Sequence, residues 1–307
     1  MCLSLRTAFG SLPLSMAIGL FDSGVGGLTI HRAVIERLPQ ADVIYLADQA
    51  HMPYGVRSGE EIVQLTRGGC ERLFLEGCDL VILACNTASA MALRTLQHSW
   101  LPGLRERLGR AVNVLGIIVP TIETVTGRPW RASQRASPVG LRAIALGGAP
   151  AGELVGVFAT QATARSAVFE IEIAKRRSDL RVFTEPCAGL AGLIERGAAR
   201  AQLLEVIEAH VRALMLRIGG VPDKVILGST HYEVAAELFF RALPSGTALI
   251  QQPRATADAL EAYLERHREY RIGTQGVRRY LTTGEPGAGH AFIEAYCGEP
   301  LRFERVR

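Results

Sequence analysis

Two stretches of the sequence end alike. "CDLVILACNTA" (residues 78–88) and "DKVILGSTHYE" (residues 223–233) each carry Asp, one residue, Val-Ile-Leu, a small residue, and then a side chain able to act as nucleophile or base. In the first that side chain is Cys85; in the second it is Ser229. A thiol between a buried strand and a helix N-terminus is expected to ionise below its reference value of about 8.5. Asn86 and Thr87 place hydrogen-bonding groups beside it. A hydroxyl is far less acidic, so Ser229 is expected to give a proton more readily than to take one. His231, two residues on, offers a proton carrier at that second tip.

A third tip is "FDSGVGGLT" (residues 21–29). It lacks the third spaced glycine of a dinucleotide fingerprint and the Gly-Lys-Ser/Thr of a phosphate loop. What remains is a glycine turn opening a helix, whose free N–H groups suit a small anion such as a carboxylate, with Asp22 just before it. "HMPYGVRS" (residues 51–58) adds a Pro-Tyr-Gly turn whose backbone at Tyr54 and Gly55 is a candidate ligand contact. Plainer readings compete. Asp22 suits a turn or cap, His231 a satisfied core or surface position, and buried cysteines commonly fill apolar space. The filler reading is the one given to Cys70, Cys78, Cys187 and Cys297.

For the tips to converge, strands must alternate with helices. "AIGLFDSGVGGLTIHRAVIERL" reads as strand, turn and helix, and "ADVIYLAD" as a second strand. "SGEEIVQLTRGGCERLFLEG" is a helix with a Ser/Glu capping pattern. "DLVILACN" is a third strand, "TASAMALRTLQ" a helix, and "NVLGIIVPTI" a fourth strand. The pattern blurs over 127–150 and resumes with the strand "LVGVFAT", the helix "ATARSAVFEIEIAKRR", the strand "LRVFTEP", the helix "LAGLIERG" and a long helix over 199–220. The strands "KVILGST" and "TALIQQP", the helix "RATADALEAYLERH" and a final strand plus short helix complete the chain. Short apolar strands alternating with helices predict parallel sheets covered on both faces, that is, an α/β fold. The repeated ends predict two similar lobes, each a parallel-sheet α/β sandwich. One is expected over 16–115 plus 244–307 and the other over 116–243, with the active site in the cleft between them, since open parallel sheets bind ligands beyond their carboxyl ends. Residues 1–15 read as an unstructured extension or an early start ahead of Met16.

Composition narrows the function class. The chain has 307 residues, 48% apolar, with 32 glycines and a net charge of +4. No apolar run reaches the roughly 18 residues needed to span a bilayer, so no membrane partner is expected. The Arg-rich stretch "RPWRASQRASPVGLR" (128–142) reads as a solvated connection, without a nucleic-acid module around it. Six cysteines without a CxxC pair, in a chain too long to need staples, point to reduced thiols and a cytoplasmic protein. Seven histidines form no HxxxH or His/Cys cluster, so no metal is expected.

"GLFDSGVGGLT", "PYG", "ACNTASA" and "LGSTHY", in this order and spacing, resemble glutamate racemase, of the cofactor-independent aspartate/glutamate racemase superfamily. "ATQATARS" (159–166), "GLIERG" (192–197) and "LTTGEPGAGHAF" echo the same family, and the likeness runs from about Met16 to the C-terminus. The resemblance implies inversion at an amino acid's α-carbon. One thiolate removes the α-proton and a thiol on the opposite face returns one, with no cofactor. It implies Cys85 as one of these groups beside Asp22, Ser229 in the place of the other, His231 assisting and Glu195 orienting His231. Asp22, Ser23, Pro53, Tyr54, Gly55, Asn86, Thr87, Thr163, Thr230 and His231 would hold the substrate. The implied ligand is glutamate, the implied role supply of D-glutamate for peptidoglycan, and the implied assembly a homodimer.

The sequence departs from that family at a decisive place, where Gly-Cys-Thr-His becomes Gly-Ser-Thr-His at Ser229. Three explanations stand: an introduced change that traps substrate, a natural change leaving a slow or one-directional enzyme, or a one-thiol reaction such as a superfamily decarboxylase or isomerase performs. A non-catalytic glutamate-binding relic is a further alternative. Glu233 stands where the family often has Pro, and "IQQPRATA" (250–257) replaces a more usual Asp-Ser segment.

Overall fold

Strand β1 (Ala17–Asp22) is apolar along its length because it is covered on both faces, as central strands of parallel sheets are. The computed structural model describes residues 16–128 and 152–306. The expected 1–15 extension and the Arg-rich stretch beyond Arg128 lie outside the described residues. After β1 come α1 (Leu28–Arg37), β2 (Val43–Ala47), α2 (Gly59–Leu75), β3 (Cys78–Leu83), α3 (Asn86–Met91), α4 (Leu93–Thr95), α5 (Leu101–Leu108), β4 (Asn113–Gly116) and α6 (Ile118–Thr126). The second half holds β5 (Leu154–Ala159), α7 (Gln161–Ser166), α8 (Val168–Ala174), β6 (Arg181–Pro186), α9 (Leu190–Glu195), α10 (Arg200–Ile218), β7 (Lys224–Gly228), α11 (Thr230–Val234), α12 (Ala236–Ala242), β8 (Ala248–Ile250) and α13 (Gln252–Arg266). The chain closes with β9 (Arg278–Thr282), α14 (His290–Cys297) and β10 (Phe303–Arg305).

Two sheets result, one in the order β10-β9-β2-β1-β3-β4 and the other β6-β5-β7-β8. Every named pairing is parallel. The expected α/β class with two parallel-sheet lobes therefore holds. Among the described residues no helix is long and apolar enough to cross a membrane.

In each sheet the chain leaves a central strand to one side and then returns to the other: β1 is flanked by β2 and β3, and β5 by β6 and β7. Such reversals open a crevice at the carboxyl ends of the strands. The register aligns the ends within each sheet. Phe21 pairs with Leu83, so Asp22 and Ala84 come next; Ala159 pairs with Gly228, so Thr160 and Ser229 come next. Helices following these strands meet across the lobes, α1 on α11 and α3 on α7.

Four local expectations change. "NVLGIIVPTI" is strand only to Gly116; Ile118, Ile122 and Val125 are then buried at helical spacing, and Pro120 is tolerated in the first turn of α6. The helix over 162–177 is broken at Ala167, which adopts a left-handed φ of 50° between α7 and α8. β8 pairs with β7, so the second sheet runs to Ile250, past the border expected at 243. The edge strand β10 was not expected; its three residues are too few to show a period. The capping box at Ser58 and Glu61 forms as read.

Candidate active site

Cys85 and Ser229 occupy equivalent positions. Each is the N-cap residue of a helix that follows a parallel strand, with extended backbone at both. Their side chains are nearly excluded from solvent, and both line one cavity of ≈ 440 Å³ together with Asp22, Ser23, Tyr54, Asn86, Glu195, Thr230 and His231. That is room for a small ligand. Pro53, Gly55 and Thr87 line it as well.

The Cys85 thiol lies 3.4 Å from the Ser23 hydroxyl, and its sulfur accepts the Ala88 N–H at 3.4 Å. The lowered thiol pKa expected from this helix N-terminus is not found. Burial pushes the thiol up to about 12, and the nearby Asp22 charge pushes it the same way. The Ser23 and Ala88 contacts pull it down without overcoming the lost hydration. Asp22 is buried, which raises its carboxyl above the usual carboxylate range against the pull of His231 and of the Gly27 N–H. Its Oδ2 accepts from Gly27 N at 2.8 Å, and the Tyr45 hydroxyl lies 3.3 Å away.

The second tip is organised by a hydrogen bond between two side chains. His231 Nε2 stands 3.2 Å from Glu195 Oε2, so α9 orients the imidazole from behind. Gly26 makes room for it: a Cβ there would lie 2.5 Å from His231 Nδ1. The glycine turn thus serves as a wall for the imidazole, in addition to capping Asp22 through Gly27. Ser229 makes no side-chain cap hydrogen bond, although serine is a favoured N-cap residue. Its hydroxyl carries no hydrogen bond to a described residue, which leaves it for a ligand.

Thr163 does not line the cavity. It is buried one step behind, where its hydroxyl lies 3.3 Å from that of Thr87 and 3.0 Å from that of Thr160. Thr87 also meets Thr160 at 3.0 Å, joining the two lobes through hydroxyls. Tyr54 is fixed by its hydroxyl donating to Asp48 at 2.6 Å.

Sequence reasoning missed Gln49, Met52, Thr160, Gly192, Arg196, Ala288 and Gly289, which line the cavity too. Thr160 was the most findable, since it ends a strand and caps α7. Arg196 stands directly after the anticipated Glu195 and packs its guanidinium against Gly192. Gln49 binds Thr282 at 2.6 Å and the Ala288 carbonyl at 3.0 Å, drawing the C-terminal segment over the site. Nothing local in the sequence announces that fold-back.

No protein-family model matches the chain. A glutamate racemase from Phenylobacterium zucineum is 60% identical over 289 residues, 94% of this chain and 99% of that protein. The chain belongs to the glutamate racemase family. A family member from Paracoccus denitrificans is 42% identical over 94% of this chain and 99% of its own length. Among solved structures, glutamate racemase isoform RacE1 from Bacillus anthracis matches with a TM-score of 0.75 at 25% identity, covering 95% of this chain and 97% of that one. The glutamate racemase from Thermus thermophilus, solved with beta-chloro-D-alanine, matches with a TM-score of 0.70 at 28% identity over 95% and 97%.

Proposed function

We propose that the protein interconverts L- and D-glutamate by removing and returning the α-proton, with Cys85 on one side of the bound amino acid and Ser229 on the other. The observation that carries this reading is that these two N-cap residues, from different sheets, line one cavity. Membership of the glutamate racemase family supports the reaction and the substrate.

In the direction that starts at Cys85, its thiolate takes the α-proton, the C–H electron pair stays on the α-carbon, and a proton arrives from the Ser229 side. A serine alkoxide is a poor product at neutral pH, so His231, held by Glu195, supplies the compensating proton. The opposite direction needs Ser229 as base; because the enantiomers are equally stable, kcat/KM for net conversion is the same both ways, and the weak base shows as slow α-proton exchange on its own face. A carbanion formed without an electron sink needs preorganised dipoles and little water. The buried Asp22, the hydroxyls of Ser23, Thr87 and Thr230, and the free N–H of Asn86 fit that need. Arg196, a cavity-lining cation without an ion pair among the described residues, fits a ligand with a second carboxylate. The reading extends to D-glutamate supply for peptidoglycan, a cytoplasmic setting and a homodimer.

Proton NMR of each enantiomer in heavy water tests it. Loss of the α-proton signal from D-glutamate, faster than from L-glutamate, is expected. Release of carbon dioxide from a diacid would instead favour one-thiol decarboxylation, and tight glutamate binding with no exchange would favour a relic.

A further inference from the structure

Two departures from the family pattern, Glu233 and the segment holding Gln252, touch each other. Gln252 is the first residue of α13, and its backbone N–H is one of the donors that a helix start leaves without an intrahelical partner. Glu233 Oε1, on α11, accepts it at 2.7 Å. The Gln252 side chain reaches the other way. It is fully buried, and its carboxamide pairs reciprocally with Asn86 of α3: Asn86 Nδ2 donates to Gln252 Oε1 at 2.6 Å, and Gln252 Nε2 donates to Asn86 Oδ1 at 3.0 Å.

The orientation of this pair is not arbitrary. The Thr121 hydroxyl donates to the Ile117 carbonyl at 2.8 Å, so at its contact with Gln252 Nε2, 3.0 Å away, it must accept. That puts the Gln252 nitrogen on the Thr121 side, which in turn puts the Asn86 oxygen there. One Asn86 N–H is consumed by Gln252 Oε1 and the other has no acceptor among the described residues. Asn86 lines the cavity beside Cys85.

We infer that Gln252 is a positioning residue that holds the Asn86 carboxamide with one N–H free for the substrate and, through Glu233, ties the Cys85 tip to the Ser229–His231 tip. A single residue at one helix start is thus bonded to both ends of the cleft. Glutamate and glutamine departures that look unrelated in sequence become one connected unit: the acceptor at 233 serves the helix that carries 252. This inference rests on the proposed function for its kinetic consequence and on the hydrogen-bond geometry for the rest.

Gln252→Met keeps the side chain's length and the backbone N–H but removes the carboxamide. Side-chain amide NMR, with the Asn86 signals assigned by their loss in Asn86→Ala, reads the pairing without any substrate. The Asn86 amide protons should shift and exchange faster with water in Gln252→Met. KM for glutamate should rise about tenfold, the scale of one hydrogen bond, with a smaller change in kcat. Added to Asn86→Ala, the same substitution should change KM by less than about twofold, because the group it positions is gone. Unmoved Asn86 signals, or additive effects in the double variant, would overturn the inference. If Gln252→Met does not fold, Gln252→Leu is read identically, since it too removes the carboxamide and leaves the backbone N–H. A parent protein with intact Asn86 pairing but no exchange on glutamate refutes the racemase reading and leaves the pairing standing.

Discussion

Cys85 and Ser229 both cap the helix after a parallel strand and both face one cavity, yet only Cys85 spends its side chain on the cap. The sulfur accepts a helix N–H; the serine oxygen accepts none. The two tips are matched in backbone and opposite in commitment.

Placing a thiol at the second tip should therefore need no rebuilding. Ser229→Cys is expected to raise L-to-D conversion by about 100-fold or more, the scale of one competent acid–base group. Chiral chromatography of the products measures it. An unchanged rate would mean that the hydroxyl is not what limits the second face.

The Cys85 thiol must lose its proton to act as base, and burial holds it up to about 12. Below that value the thiolate fraction grows about tenfold per pH unit. Washout of the α-proton of D-glutamate should climb steadily between pH 6 and pH 9. A plateau beginning below pH 7 would show another base at work.

Arg196 lines the cavity and makes no ion pair among the described residues. Arg196→Gln should raise KM for glutamate about tenfold with kcat little changed, as expected for a charged contact made equally in ground and transition states. Steady-state kinetics at low salt checks it, and a drop in kcat at constant KM would contradict it.

Glu233 gives a stability prediction with a definite sign. Burial raises its pKa to about 8 from a reference near 4.5, although the Gln252 N–H pulls it down. The folded state therefore binds the proton more tightly than the unfolded state. Stability from the neutral carboxyl is full below about pH 4.5 and is lost as pH rises through about 8. Glu233→Gln keeps an oxygen for the Gln252 N–H and never ionises. Its Tm should match the parent near pH 5 and exceed it by several degrees near pH 9, at about 2–4 °C per kcal/mol for a chain of this size. Equal melting curves at both pH values would contradict the assignment.

What the sequence made legible was local. Apolar runs ending in Asp22, Cys85 and Ser229 announced the strands and their tips, because parallel strands covered on both faces leave little choice of residue. His231 stood out two residues after Ser229, but Glu195 as its partner came only through the family resemblance, and the structure brings the two within 3.2 Å. The Gln252 contacts with Asn86 and Glu233, and the hold of Gln49 on the C-terminal segment, had no periodic or motif signal. They join residues far apart along the chain through side chains whose types are common on surfaces. The acidity of Cys85 was misjudged for a related reason: a helix N-terminus is visible in sequence, whereas the dryness of the surrounding pocket is not.

The absent methyl at Gly26 has a wider consequence. Because the His231 ring stands against that bare α-carbon, the turn in the first half of the chain is shaped to a residue encoded some two hundred positions later. A graft that imported the second half from a protein with a bulkier ring, or the first half from one with alanine there, would collide at the active centre however well each half folded. The two sheets share the arrangement about their central strands, and at this contact their turns are fitted to each other.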